Sequence, residues 1–223
     1  MLDSARFDLS RLRSLTRLVQ PRERREEETV GARVVCVASG KGGVEVDQQH
    51  ALANPTRKEL EKLFRELRPL EQSFDLIVID HGAGLSYSTV AHLAATSTLL
   101  LVTNHEVTAL SDAYALYKRA LMVNPGIRAG MVVNRTPDEA TANAAWERFK
   151  AASFRFLGRH PEFIGWVPAD EAVARSVQSR QPVTLTEPDS RAAKAFVRVS
   201  EWGPIEHALT TVAFYEKARR ALR

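Results

Sequence analysis

The chain predicts a three-layer α/β/α fold around a mainly parallel sheet, and three observations lead there. Strand-length runs that are nearly all apolar recur along it, beginning with Val34-Val-Cys-Val-Ala38, as strands covered on both faces do. Segments with apolar residues at helical spacing alternate with those runs, which calls for crossover helices packed on a sheet. The first run also breaks directly into glycines, Gly40-Lys-Gly-Gly43, as a phosphate-holding turn after a buried strand does.

Residues 1–30 carry seven arginines and six acids, with Leu9, Leu12, Leu15 and Leu18 at three-residue spacing. They read as a short amphipathic helix and then a charged linker, an extension to the domain proper. After the glycines, residues 45–54 show no period and read as loop. Thr56-x-x-Glu59 has the form of a capping box, and Leu60, Leu63, Phe64 and Leu67 share one face, so a helix spans 55–68. Phe74 to Asp80 is the second buried strand, a helix covers about 86–95, and Ser97 to Thr103 is the third strand. A helix over 108–122 stops at the turn Asn124-Pro-Gly126. Ile127 to Asn134 is the fourth strand, Pro137 to about Leu157 a long helix, and Phe163 to Val167 a short fifth strand before Pro168. Helices near 170–179 and 190–201 complete a domain over 31–202. The segment 203–223 then sets Ile205, Leu209, Val212, Tyr215 and Leu222 on one helical face, with Lys217, Arg219, Arg220 and Arg223 toward its end. That is an amphipathic basic helix, which either packs on its own domain or lies on an anionic membrane surface.

A length of 223 residues with 44% hydrophobic content supports one sizeable core. With 31 basic against 27 acidic residues the net charge of +4 favours an anionic partner, and no nucleic-acid specificity is indicated. A single cysteine excludes an intramolecular disulfide framework, and no apolar run reaches the ~20 residues of a spanning helix. Both fit a cytoplasmic protein. The six histidines show no metal-ligand spacing, and there is no nucleophile-elbow motif.

In parallel sheets ligands sit beyond the carboxyl ends of the strands, and the candidate residues gather there. Gly40, Lys41, Gly42 and Gly43 offer backbone N–H groups to an anion. The full phosphate-loop pattern is G-x-x-x-x-G-K-[ST], against which Glu45 stands for the second glycine, Val46 for the lysine and Asp47 for the hydroxyl. Asp80 closes the second strand, where a carboxylate orients magnesium or its waters; the plainer role is a turn or helix cap. Asn134 and Arg135 close the fourth strand, where an amide pairs with a purine edge or simply makes a turn. His81 beside Asp80 is a weak candidate base.

Ser39-Gly-Lys-Gly-Gly-Val44 together with Asp80-x-Gly-Ala-Gly-Leu85 resembles the MinD/ParA family of deviant Walker ATPases. Thr108 to Leu116, Val132-Val-Asn-Arg135 and Phe163 to Asp170 are similar to the flagellar number and placement regulators within it. The resemblance implies a P-loop NTPase-like fold, ATP and magnesium as cofactors, and an ATP-bound homodimer. It implies that Lys41 reaches the partner's phosphates, that Asp80 places magnesium or the attacking water, and that Asn134 and Pro168 lie by the adenine. It also implies a flagellar or polar partner engaged through the N-terminal helix, and membrane contact at the inner face of the cell membrane through 203–223. Members of the family follow the phosphate loop with a helix, another strand and a switch loop. Here about thirty residues, 44–73, separate loop from strand, and the predicted helix occupies roughly half of them. An internal deletion between Gly43 and about Asp47 is expected, which reduces the fold after its first strand and bares part of that strand's apolar face. Loss of the lysine beside phosphate, with Glu45 close by, is worth several kcal/mol at ~4 kcal/mol per charge pair, so impaired ATP binding is expected.

Overall fold

The computed structural model describes residues 32–39, 55–81, 85–202 and 213–222. Five strands, β1 (Arg33–Ser39), β2 (Leu76–His81), β3 (Thr98–Thr103), β4 (Arg128–Thr136) and β5 (Glu162–Pro168), form one sheet in the order β2-β1-β3-β4-β5. All four pairings are parallel, as the apolar runs predicted. The helices are α1 (Arg57–Leu67), α2 (Leu70–Ser73), α3 (Tyr87–Ala95), α4 (Val107–Val123), α5 (Glu139–Leu157), α6 (Glu171–Ser179), α7 (Val183–Thr186), α8 (Arg191–Glu201) and α9 (Phe214–Ala221).

Local chemistry starts these helices where the sequence places polar caps. Thr56 and Glu59 close a capping box on α1, the Thr56 N–H donating to the Glu59 carboxylate at 2.7 Å. Ser86, Asp138, Asp170 and Ser190 accept from backbone N–H groups at the starts of α3, α5, α6 and α8. Gly158, at φ 70°, ends α5 in a left-handed turn that a side chain would strain. The short helices α2 and α7, of four residues each, carry too few apolar positions to show a period.

Register sorts the strands into two faces. One carries Val34, Cys36 and Ala38 beside Leu99, Leu101, Met131 and Val133, and packs into the main core with Leu60 and Phe64 of α1, Leu93 of α3, Tyr117 of α4 and Trp146 and Phe149 of α5. The other face has a smaller cover. Val132 and Val167 join Ala192 and Ala195 of α8, with Leu100, Ile164 and Val173 beside them. Gly130 lets this layer seat closely, because a Cβ there would come within 2.6 Å of Trp202 and 2.7 Å of Ile164.

Two expectations are corrected here. The second strand was expected to be buried on both faces, but β2 alternates, with Leu76 44% and Val78 59% exposed. Exposure was expected on the first strand, yet Val34, Val35, Cys36 and Ala38 are buried. The reason is packing: Val34, Cys36 and Ala38 face the main core beneath α1, α3 and α9, whereas Leu76 and Val78 lie on the opposite face of β2, at the edge of the described sheet. The described part of the C-terminal segment belongs to the main core. Phe214, Tyr215 and Ala218 of α9 are buried against α1 and α3. Residues 1–30 and 203–212 lie outside the described residues.

Candidate functional site

The carboxyl ends of the strands form one rim, and the site is built along it. β1 leads out at Ser39 toward Gly40, Lys41, Gly42 and Gly43, which lie outside the described residues together with Glu45 to Asp47. Val37 pairs with Asp80, and alternation then puts Ser39 and Asp80 on the same face of the sheet. Asp80 is exposed and makes no hydrogen bond or ion pair among the described residues. An exposed carboxylate beside the exit of β1 fits a hard cation such as magnesium, directly or through water. On this face Leu76 and Val78 of β2 are exposed and Val35 of β1 is buried.

His81 turns the other way. It is buried beside His92 of α3, with ring centroids 4.9 Å apart, and burial lowers its pKa while the Asp80 charge opposes that shift. Successive strand residues point to opposite faces, so His81 cannot act with Asp80 on one ligand. Cys36 is fully buried below the rim, and burial pushes its thiol up to about 12. That is an inert core residue.

Asn134, Arg135 and Pro168 meet at the far end of the rim, on β4 and β5. Asn134 stands on the same face as Asp80, and the intervening β1 and β3 put the two strands about 14 Å apart. The Asn134 Oδ1 accepts the Arg135 N–H at 2.9 Å, and Arg135 takes φ 56°. That turn leaves the Asn134 amide nitrogen uncommitted among the described residues. Thr136 pairs with Pro168, and its carbonyl accepts the Ala169 N–H at 2.9 Å.

The sequence reading did not give Asp170 a part. One of its oxygens accepts the Ala172 N–H at 2.9 Å and the other the Ala192 N–H at 3.0 Å, so a single carboxylate caps α6 and α8. These hydrogen bonds hold the carboxyl below its ordinary range. The Asp behind Pro168 signals a cap in the sequence; its second partner, twenty-two residues on, does not. Asp170 thereby anchors the Pro168-Ala169 turn at the rim.

No family model matches the chain. The antiactivator FleN of Pseudomonas aeruginosa is 26% identical to it over 171 residues, 77% of this chain and 58% of FleN. The flagellum site-determining protein YlxH of Helicobacter pylori is 25% identical over 129 residues, 57% of this chain and 43% of YlxH. The chain thus spans about half the length of the curated relatives it matches. Among solved structures, the septum site-determining protein MinD of Pyrococcus horikoshii, complexed with Mg-ADP, shares the fold at a TM-score of 0.52 and 17% identity, covering 77% of this chain and 83% of MinD. The chain is thus similar in sequence to FleN and YlxH and shares its fold with MinD.

Proposed function

We propose that this chain is a MinD/ParA-type regulator of flagellar number or placement whose ATP binding is impaired. The observation that carries the reading is a rim with one half of a nucleotide site in order. Asp80, without an ion-pair partner among the described residues, stands beside the exit of β1, and Asn134 offers an amide on the same face, whereas the phosphate loop continues as Glu45-Val46-Asp47 in place of Gly-Lys-Ser/Thr. An internal deletion in that loop accounts for both the lost residues and the short connection to β2. In the intact mechanism Lys41 reaches a partner's phosphates within a homodimer and Asp80 sets magnesium; here the dimer's nucleotide clamp is incomplete. Magnesium, when bound with ATP, supplies charge neutralisation at the phosphates.

Isothermal titration of the purified protein with ATP and magnesium tests this reading. Binding weaker than about 100 μM, or none, is expected, since each ~1.4 kcal/mol lost is tenfold in affinity. Micromolar binding that disappears in Lys41→Ala defeats it. The rival, an interaction module that ignores nucleotide and works through its terminal helices, is narrowed by α9, whose apolar side faces its own core. Partner or membrane contact then falls to residues 1–20, to 203–212, or to the basic end at Arg219 and Arg220. Pull-down of a flagellar partner with and without residues 1–20 separates the two readings.

A further inference from the structure

The two edges of the sheet are built differently. β5 is guarded: Pro161 precedes it, Pro168 ends it, its pairing with β4 shifts register twice, and Gly165 takes φ 135°. Such features keep an edge strand from accepting another strand. β2 has none of them. Leu76-Ile-Val-Ile79 contains no proline, glycine or lysine, pairs in unbroken register, and hydrogen-bonds to β1 alone among the described strands. An unguarded edge presents a row of backbone N–H and C=O groups to any strand of matching pattern.

The side chains around that edge are self-complementary. On the face opposite the main core, Arg33 pairs with Leu76, Val35 with Val78 and Val37 with Asp80. The strip therefore runs from a cation through apolar residues to an anion. Arg33 and Asp80 are both exposed, and neither has an ion-pair partner among the described residues.

We propose that β2 pairs antiparallel with β2 of a second copy about a two-fold axis at Val78, which joins the two sheets into one of ten strands. Centred there, Ile77 lies opposite Ile79 of the second copy and Leu76 opposite its Asp80. Arg33, one strand further in, stands two strand spacings from that Asp80 on the same face, about 9.6 Å, a gap that an extended arginine closes over Leu76. The two-fold makes this contact twice. It also brings the exposed Leu76 and Val78 of the two copies together on that face. The pairing needs no nucleotide, and its contact with Arg33 takes up Asp80, the carboxylate assigned to magnesium above.

Sedimentation velocity of the full chain without nucleotide, over a range of concentrations, tests it. A reversible dimer is expected. Val78→Lys, Arg33→Glu and Asp80→Arg should each raise its Kd about tenfold or more, and Arg33→Glu with Asp80→Arg together should restore it to within about threefold. All three positions are exposed, so circular dichroism should show an unchanged fold. A monomer at every concentration overturns the proposal, and so does a dimer that the charge swap fails to rescue or that forms only with ATP. Pairing of β2 with another segment of its own chain would appear as a monomer indifferent to Val78→Lys.

Discussion

His92 shows what burial does to a single titratable residue in this protein. Both of its ring nitrogens, and Nε2 of His81, lack hydrogen-bond partners among the described residues. The ring is enclosed by Phe64 of α1, His81 of β2 and Phe214 and Tyr215 of α9. The titratable groups facing it are His81 and Tyr215, with Glu71 against the Tyr215 backbone and Asp80 acting on His81. Burial first, and His81 second, hold the His92 pKa down at about 3. The unfolded chain takes up a proton near pH 6.5 and the folded chain does not, so stability is complete above that pH and falls as pH drops from 6.5 toward 3. Urea denaturation at pH 5 should give about 2 kcal/mol less stability than at pH 7 from His92 alone. His92→Leu should remove that part of the slope; an equal slope in the variant rejects the assignment. None of this was visible in the sequence, because a histidine within a helix declares neither its depth nor its neighbours. Asp80 was visible, since an acid ending an apolar run needs only local context.

Among the elements, α9 depends on one distant carboxylate. Glu71, buried on the four-residue α2, accepts the Phe214 and Tyr215 N–H groups at 2.8 Å each and so caps the start of α9. Burial, with the Glu71 charge next, pushes the Tyr215 hydroxyl up to about 12. Glu71→Ala leaves two buried N–H groups unpaired and should cost about 2–3 kcal/mol in urea denaturation; Glu71→Gln, which keeps an acceptor, should cost less. Hydrogen exchange should speed up in α9 before the rest of the chain, and uniform acceleration would count against the cap. The main helices were legible because apolar spacing and caps such as Thr56 with Glu59 act within four residues. The docking of α9 was not, because Glu71 and Phe214 are 143 residues apart. An amphipathic stripe reads alike whether it meets a membrane or a core.

For the whole molecule, the parallel sheet and its layers followed from apolar runs alternating with helices. Which strand would be the edge did not. Phe74 to Asp80 is as apolar as an interior strand, and only the structure reveals that β2 is at the edge of the described strands with Leu76 and Val78 exposed. The candidate residues Gly40 to Gly43 and Asp80 were picked out by the motif they carry, and of these the structure describes Asp80. The meeting of Asp170 with the Ala192 N–H depended on tertiary packing.

The placement of α9 also bears on how the chain comes into being. Its core opens with β1 and α1 and closes with Phe214 and Tyr215, so a nascent chain that has emerged only as far as Trp202 has the sheet but lacks the cover over Phe64 and His92. Contacts of such long range make folding slow and late in synthesis. A protein ending at Trp202 should bind a hydrophobic dye and melt without a sharp transition, and adding a peptide of residues 213–222 in excess should sharpen it. Until those residues leave the ribosome, the partly folded chain holds an uncovered core and an unguarded β2 together, which is when a chaperone would matter most to it.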